Sequence, residues 1–185
     1  GADKVKEFLH WCYEAGIQGV TLYAFSTENW MRPKVEVKEL MQILASVIDS
    51  ETKQMHKEGI RLLHWGRLDR LPEKLQERVH HSIELTKNND RMTLSVAFDY
   101  GGRAEIVEAA KRMILEGVPP GVIDENLFSR YLYTAGLPDP DLIIRTAGEM
   151  RLSNFLLWQS AYSEYYFTPV FWPDFDEEEV KKALL

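Results

Sequence analysis

Short apolar runs alternate with longer amphipathic segments along the sequence, and this alternation restricts the chain to few folds. The apolar runs are rich in β-branched and aromatic residues, as buried strands are, and they cover residues 19–25, 61–65, 93–100, 142–145 and 165–170. The segments with helical spacing cover residues 4–15, 34–59, 73–87, 103–116 and 125–134. Strands that alternate with helices pair in parallel through right-handed crossovers. The order therefore predicts an α/β fold, with residues 1–185 forming a single domain whose central, mostly parallel β-sheet is covered by helices.

The alternation begins on a helix, and the sequence begins at Gly1 rather than at Met. The strand that should lead into the first helix is therefore missing from this sequence. In such sheets the first strand-to-helix turn commonly holds phosphate at the helix N-terminus. We expect the sequence to start just after that turn.

Composition excludes several classes of protein. The net charge of −7, from 22 Lys and Arg against 29 Asp and Glu, argues against broad nucleic-acid binding. The single cysteine, Cys12, excludes an internal disulfide and a cysteine-rich zinc site. The longest apolar runs are far too short to cross a bilayer, and no signal peptide is present, so we expect a cytoplasmic protein.

Common signatures of nucleotide-binding proteins, esterases and metalloproteases are missing. The five histidines show no metal-ligand spacing, and we interpret them as structural or exposed. The acidic run at 174–179 is typical of the first turn of a short helix rather than of a metal cluster.

The first candidate site is the loop that follows the first predicted strand. It combines two hydroxyls, a carboxylate, an amide, an indole and a guanidinium, which are groups that orient a polar ligand. These are Ser26, Thr27, Glu28, Asn29, Trp30 and Arg32. The alternative is the start of a helix, with Ser26 or Asn29 as its cap and Trp30 as a packing residue.

The second candidate site lies where the 142–145 strand ends on Arg145. The chain turns through Ala147 and Gly148 and returns Arg151 and Ser153 at a predicted helix start. Two guanidiniums and a hydroxyl beside unpaired helix N–H groups suit a phosphate or diphosphate. The alternative is an arginine pair neutralised by Glu149 and Glu164.

The third candidate is Glu164, a carboxylate within the aromatic stretch 158–167. Such a carboxylate is expected to be partly buried, and burial requires a cation partner. Either an arginine or a metal ion would serve.

At these three motifs the sequence resembles the cis-prenyltransferases, the family of undecaprenyl diphosphate synthase. The matching stretches follow the family's order over nearly the whole chain, and they cover residues 21–33, 100–103, 145–159, 162–168 and 172–175. Three positions depart from the family's usual pattern as local variation: Arg67, Asp99 and Ala147.

The resemblance implies a role for each matching residue. Arg145, Arg151 and Ser153 would hold the diphosphate of isopentenyl diphosphate beside Leu152, and Glu164 would ligate the Mg²⁺ that bridges it. Asn29 would assist proton removal from the condensing carbon. The remaining substrate-binding residues would be Ser26, Thr27, Glu28, Trp30 and Arg32.

The resemblance also implies a reaction and partners. The enzyme would condense isopentenyl diphosphate onto an allylic primer such as farnesyl diphosphate, giving a Z-polyprenyl diphosphate, the precursor of an undecaprenyl-like carrier lipid. A homodimer, peripheral membrane contact through the lipid product and no nucleic-acid partner are expected. An apolar stripe could line the prenyl chain or could be plain core, and its residues are Leu40, Met41, Leu44, Val47, Ile48, Leu62 and Val96.

Two family segments are missing from the sequence. These are the aspartate-containing D-G-N loop, expected upstream of Gly1, and the basic tail beyond the segment 172–175. Without the upstream loop we expect this stretch of chain to be inactive. A non-catalytic subunit that supports an active partner is therefore the main alternative, and a generic phosphate-ester binder is a third. The joint presence of Arg145, Arg151, Ser153 and Glu164 argues against a scaffold.

Overall fold

The computed structural model describes residues 2–185, which divide into two compact units. The first unit comprises the chain up to Asp99 together with Phe175–Leu185, and the second comprises Tyr100–Asp174. The prediction of a single domain stays a prediction, and so does the expectation of a strand upstream of the sequence.

The first unit is built on a three-stranded sheet in the order β1-β3-β2. Its strands are β1 (Gly19–Ser26), β2 (Ile60–Trp65) and β3 (Met92–Tyr100). β2 and β3 run parallel, in a register from Ile60 opposite Met92 to Trp65 opposite Ala97. The unit's helices are α1 (Ala2–Glu14), α2 (Lys34–Lys57), α3 (Glu73–Thr86) and, at the end of the chain, Glu177–Ala183.

A core cluster of this unit is formed by buried side chains from β1, β3, α2, α3 and the segment that leads into α3. Its buried members are Phe25, Met41, Leu71, Leu75 and Phe98. The Phe25 and Phe98 rings stack, with their centroids 4.9 Å apart. One face of α2 packs against the cluster through apolar side chains at helical spacing. These side chains are half-buried, so this face of α2 stays partly exposed.

The second unit carries α4 (Gly102–Leu115), α5 (Glu125–Ser129) and a two-stranded sheet. Its strands, β4 (Leu142–Arg145) and β5 (Glu164–Phe167), are parallel, and Leu142 lies opposite Glu164 while Arg145 lies opposite Phe167. The helix at the end of the chain is therefore α6. Among residues 2–185, no helix is long and apolar enough to cross a membrane.

The α/β class and its parallel strand pairing are confirmed, and the first four predicted helices lie within two residues of their observed bounds. Three local predictions are wrong. The fifth helix ends at Ser129 rather than near residue 134, and β5 ends at Phe167, two residues before Pro169, which has no N–H to donate. The predicted helix start around Arg151 and Ser153 is absent, because residues 151–163 form turns.

The acidic run near the end of the chain has the structural role expected of it. Asp176 accepts a hydrogen bond from the Glu179 N–H at 3.0 Å, and α6 begins at Glu177. Acidic residues are favourable in the first turn of a helix, where the helix dipole is positive.

Candidate functional site

The loop after β1 is a short 3-10 helix over Thr27–Met31. The Ser26 N–H donates to the Asn29 Oδ1 at 2.9 Å, so the amide caps the turn. The Trp30 ring lies 5.3 Å from the Phe25 ring at an interplanar angle of 79°. The structure therefore shows the capping role of Asn29 and the packing role of Trp30 that the sequence had left as the alternative.

Several polar groups of this loop take no part in the cap. Because the Asn29 oxygen accepts from the backbone, the group it has left for a ligand is its NH₂, which is a donor. The Thr27 hydroxyl donates to Glu28 at 3.1 Å. Arg32 is exposed, and its side chain has no hydrogen-bond or ion-pair partner among residues 2–185. The loop thus offers an amide donor and an uncommitted guanidinium, which suits an anion.

An ion pair that the sequence analysis missed supports Trp30. The Arg70 guanidinium lies 5.2 Å from the Trp30 ring centroid and donates to both carboxylate oxygens of Asp99, with a distance of 2.8 Å from Nε to Oδ2. Asp99 is buried and has a φ of 51°. The backbone just before Asp99 passes close to Gly66, where a Cβ would lie 2.3 Å from the Phe98 oxygen. The departure at Asp99 was visible in the sequence, but its partner 29 residues away was not.

The structure brings together the predicted residues of the second site. At the end of β4, the Arg145 Nη1 donates to the Ser153 Oγ at 3.1 Å. The Arg145 Nη2 donates to Glu149 Oε2 at 2.6 Å, and the Arg151 Nη2 lies 2.5 Å from the same oxygen. Two guanidiniums converge on one carboxylate, so the cluster keeps one excess positive charge.

Backbone contacts in the second unit hold the turn that follows Arg145. The Ala147 N–H donates to the Val170 oxygen and the Gly148 N–H to the Thr168 oxygen, both at 2.9 Å. Ala147 and Gly148 have φ values of 67° and 72°, so the turn requires two left-handed residues in succession. Leu152 is half-buried between the exposed residues Arg151 and Ser153, and its predicted contact with substrate stays a prediction.

The prediction that Glu164 is partly buried is wrong, because the structure places its side chain in solvent. Its exposure removes the need for a cation partner. Among residues 2–185 its carboxylate has no hydrogen-bond or ion-pair partner, so the alternative of neutralising Arg145 or Arg151 falls to Glu149 alone. Glu164 opens β5 and Arg145 closes β4, so the two are offset by three residues, about 10 Å along the strands.

Glu164 fits the chemistry of a magnesium ligand in one respect. Mg²⁺ prefers oxygen donors and is commonly held by one or two carboxylates, with substrate phosphates and water completing the shell. Within residues 2–185 no group of three His, Cys, Asp or Glu side chains could hold a metal ion. The described residues therefore form no metal centre with three such protein ligands, and Glu164 as a magnesium ligand stays a prediction.

Among the described residues, burial is the main cause of a pKa shift in His64 and Cys12, both outside these loops. Burial lowers the pKa of His64, which favours its neutral form, and its ring nitrogen lies 2.9 Å from the Phe98 oxygen as a structural contact. Burial raises the pKa of the Cys12 thiol to about 12, which leaves it unreactive at neutral pH.

The paired guanidiniums at the end of β4 and the donor-rich loop after β1 are each suited to an anionic ligand. Comparison with known proteins gives the particular family. The family model described as "Putative undecaprenyl diphosphate synthase" matches residues 1–185. The chain belongs to this family, the isoprenyl transferases.

Relatives and solved structures agree with that assignment. The chain is 53% identical to an isoprenyl transferase of Fusobacterium nucleatum over 184 residues, which cover all of this chain and 79% of the relative. It is 48% identical to an isoprenyl transferase of Thermotoga maritima, covering all of this chain and 80% of that relative.

Two solved structures are similar over nearly the whole chain. A probable undecaprenyl diphosphate synthase from Campylobacter jejuni superposes with a TM-score of 0.89 at 35% identity, over 98% of this chain and 85% of the other. Lavandulyl diphosphate synthase from Lavandula x intermedia, in complex with dimethylallyl diphosphate, superposes with a TM-score of 0.93 at 38% identity, over 99% and 81%.

Proposed function

We propose that this isoprenyl transferase condenses isopentenyl diphosphate onto an allylic diphosphate such as farnesyl diphosphate, giving a Z-polyprenyl diphosphate that serves as precursor of an undecaprenyl-like carrier lipid. The observation that carries the proposal is the convergence of Arg145, Arg151 and Ser153 in a chain of this family. The substrates of the family are prenyl diphosphates, and converging donors of this kind are suited to bind a diphosphate.

The diphosphate of isopentenyl diphosphate binds by replacing the Glu149 carboxylate on the two arginines. In the structure the Glu149 carboxylate accepts from both arginines. A diphosphate offers more oxygens and more charge to the same two guanidiniums, and the Ser153 hydroxyl, already 3.1 Å from Arg145, adds a further donor. These residues bind and orient the substrate, and orientation of the attacking double bond is their contribution to rate.

The loop after β1 supplies further donors to substrate. The Asn29 NH₂ and the Arg32 guanidinium can stabilise negative charge that builds on a leaving diphosphate. Since the Asn29 oxygen is engaged by the Ser26 N–H, the residue is better placed to donate a hydrogen bond than to accept a proton. Its role in proton removal stays a prediction, as do the substrate contacts of Ser26, Thr27, Glu28 and Trp30.

We propose Mg²⁺ as the cofactor and Glu164 as its protein ligand. Its exposed carboxylate, without a partner among residues 2–185, leaves both oxygens for a cation. Bound Mg²⁺ would neutralise diphosphate charge.

The half-buried face of α2 supports a prenyl substrate. Val37, Leu40, Leu44, Ala45 and Ile48 pack against the core cluster yet keep exposed surface. Leu62 and Val96 are half-buried as well, whereas Met41 is buried in the core. The incompletely buried residues can cover an apolar chain, and Met41 is explained by packing alone.

Oligomeric state and location extend the proposal. Tyr162 is 99% exposed and Phe171 is 64% exposed, which supports the 162–172 segment as the contact of a homodimer. A cytoplasmic location with peripheral membrane contact through the lipid product stays a prediction.

The test is a product assay on the full-length protein, with labelled isopentenyl diphosphate and unlabelled farnesyl diphosphate, first with chelator and then with Mg²⁺ restored. We expect labelled polyprenyl product of undecaprenyl length only with Mg²⁺. Failure to extend any allylic primer would overturn the proposal in favour of a non-catalytic subunit, and a product of another length would overturn the assignment to a carrier-lipid precursor.

The same assay tests Glu164 separately. Glu164→Gln should raise the Mg²⁺ concentration needed for half-maximal rate by roughly tenfold or more, since loss of even an outer-shell partner of a metal ligand commonly costs about 10- to 100-fold in metal affinity. Glu108→Gln removes the same charge from an exposed position of α4 and is the matched control. Equal Mg²⁺ dependence of the two variants would remove Glu164 from the metal site.

A further inference from the structure

The segment that carries Ser153 has an unusual backbone. Ser153, Asn154 and Leu156 have φ values of 50°, 65° and 44°. Left-handed conformations are unfavourable for residues with a Cβ and persist only where the surrounding structure enforces them, with Asn and Asp the most tolerant. Something in the second unit must therefore hold this segment in place.

The first turn of α4 provides the fixed point. The N-cap position of α4 is Gly101, which has no side chain to accept from the first helical N–H groups. Those groups are satisfied by Asn154 instead. The Gly102 N–H donates to the Asn154 backbone oxygen at 2.7 Å, and the Arg103 N–H donates to the Asn154 Oδ1 at 2.9 Å. Asn154 thus caps a helix that begins 52 residues earlier in the chain.

The close approach depends on a glycine. A Cβ added to Gly102 would lie 2.9 Å from the Leu157 Cγ and 3.2 Å from the Asn154 oxygen, so any larger residue would force Leu157 or the loop to shift. The Phe155 ring contacts the Tyr100 ring edge-on, with centroids 6.1 Å apart.

A buried polar network also ties the segment after Asn154 to α4. The Glu105 carboxylate, on the first turns of α4, accepts from the Tyr100 hydroxyl, from the Tyr133 N–H at 2.8 Å and from the Gln159 Nε2 at 3.1 Å. Gln159 and Glu105 are each 2% exposed. The segment from Asn154 to Gln159 is therefore fastened to α4 at both ends, and Ser153 lies directly before the first fastening.

We propose that Asn154 is a positioning residue, whose cap on α4 holds Ser153 in the left-handed conformation that sets its hydroxyl beside Arg145. This proposal rests on the function proposed above, because it assigns Ser153 to diphosphate binding. Asn154 acts through Ser153 and needs no contact with substrate. Loss of the cap releases the loop and weakens diphosphate binding before it affects the rest of the fold.

Three substitutions separate the side-chain cap from the backbone requirement. Asn154→Asp keeps an acceptor for the Arg103 N–H and tolerates positive φ. Asn154→Gly keeps the backbone freedom and loses the cap. Asn154→Ala loses both. The Asp variant should therefore bind isopentenyl diphosphate with a dissociation constant near that of the unsubstituted protein. The dissociation constant should rise by about fivefold in the Gly variant and by about tenfold in the Ala variant, as expected for one lost capping hydrogen bond.

The experiment is titration of isopentenyl diphosphate into the full-length protein and the three variants, with amide hydrogen exchange at Gly102 and Arg103 measured in parallel. Protection of the Arg103 amide should fall in the Gly and Ala variants and persist in the Asp variant. The KM for the allylic substrate should change less than the KM for isopentenyl diphosphate, which general destabilisation would not produce.

The outcomes that overturn the proposal are distinct from failure of the function. If the unsubstituted protein does not bind isopentenyl diphosphate, the proposed function fails, and the exchange data still report on the cap. If it binds and the Gly and Ala variants bind as tightly as the unsubstituted protein, or if the Arg103 amide loses protection in the Asp variant as it does in the Ala variant, the positioning role is wrong. If Asn154→Ala does not fold, the Gly variant, which avoids backbone strain, decides the same question.

Discussion

The two loops that carry the predicted substrate ligands hold their charged groups in opposite ways. In the loop after β1, a regular 3-10 turn leaves Arg32 exposed and without a partner among residues 2–185. In the loop after β4, Glu149 already bridges Arg145 and Arg151. One loop carries a guanidinium without a partner among the described residues, and the other carries two guanidiniums that are already paired with a carboxylate of the same chain.

The difference has an energetic consequence. Binding at Arg32 requires ordering of an exposed side chain that no contact within residues 2–185 holds, which costs entropy on association. Binding at Arg145 and Arg151 starts from guanidiniums already held at 2.6 Å and 2.5 Å from an anion, so their ordering cost is smaller, but Glu149 must be displaced. The two arginines of the second loop are therefore preorganised, but a ligand must compete with Glu149 for them.

The largest effect is expected from removal of the arginine pair. Arg145→Ala combined with Arg151→Ala should lower kcat/KM for isopentenyl diphosphate by about 100-fold or more, since each lost charge-assisted contact costs about 1.5–3 kcal/mol. Steady-state kinetics on the full-length protein measures it, and Lys111→Ala, an exposed cation on α4, is the matched control. Activity within about threefold of the unsubstituted protein would remove both arginines from the site.

A smaller effect is expected from the uncommitted cation. Arg32→Ala should lower kcat/KM by roughly tenfold through loss of one charge-assisted contact, while its melting temperature stays unchanged because no contact within residues 2–185 is lost. Lys38→Ala, an exposed cation on α2, serves as the control. Unchanged kinetics in Arg32→Ala would show that the contrast between the loops has no functional meaning.

The fold class and the location of both loops could be predicted because they depend on patterns local in the chain. Alternating strands and helices predict a parallel sheet, and the polar clusters directly follow strand ends at Ser26 and Arg145. The capping role of Asn29 was foreseen as an alternative for the same reason, since Ser26 is only three residues away.

What could not be predicted depends on contacts between distant segments. The Asn154 cap spans 51 residues to Arg103, and the Arg70 pair with Asp99 spans 29. Neither partner is marked by spacing or composition. The burial predicted for Glu164 failed because aromatic neighbours do not imply a buried site when they are themselves exposed, as Tyr162 and Tyr165 are at 99% and 42%.

The central claim is that Arg145 and Arg151 form an anion site that Glu149 fills until a diphosphate replaces it. Titration of isopentenyl diphosphate into Glu149→Gln, beside the charge-matched control Glu108→Gln, tests this claim most directly. Because partly exposed ion pairs are worth about 0.2–1 kcal/mol each, loss of both should tighten binding by about twofold to thirtyfold in Glu149→Gln alone. Weaker or unchanged binding in Glu149→Gln would contradict the account, because the carboxylate would then not compete with the diphosphate for the two arginines.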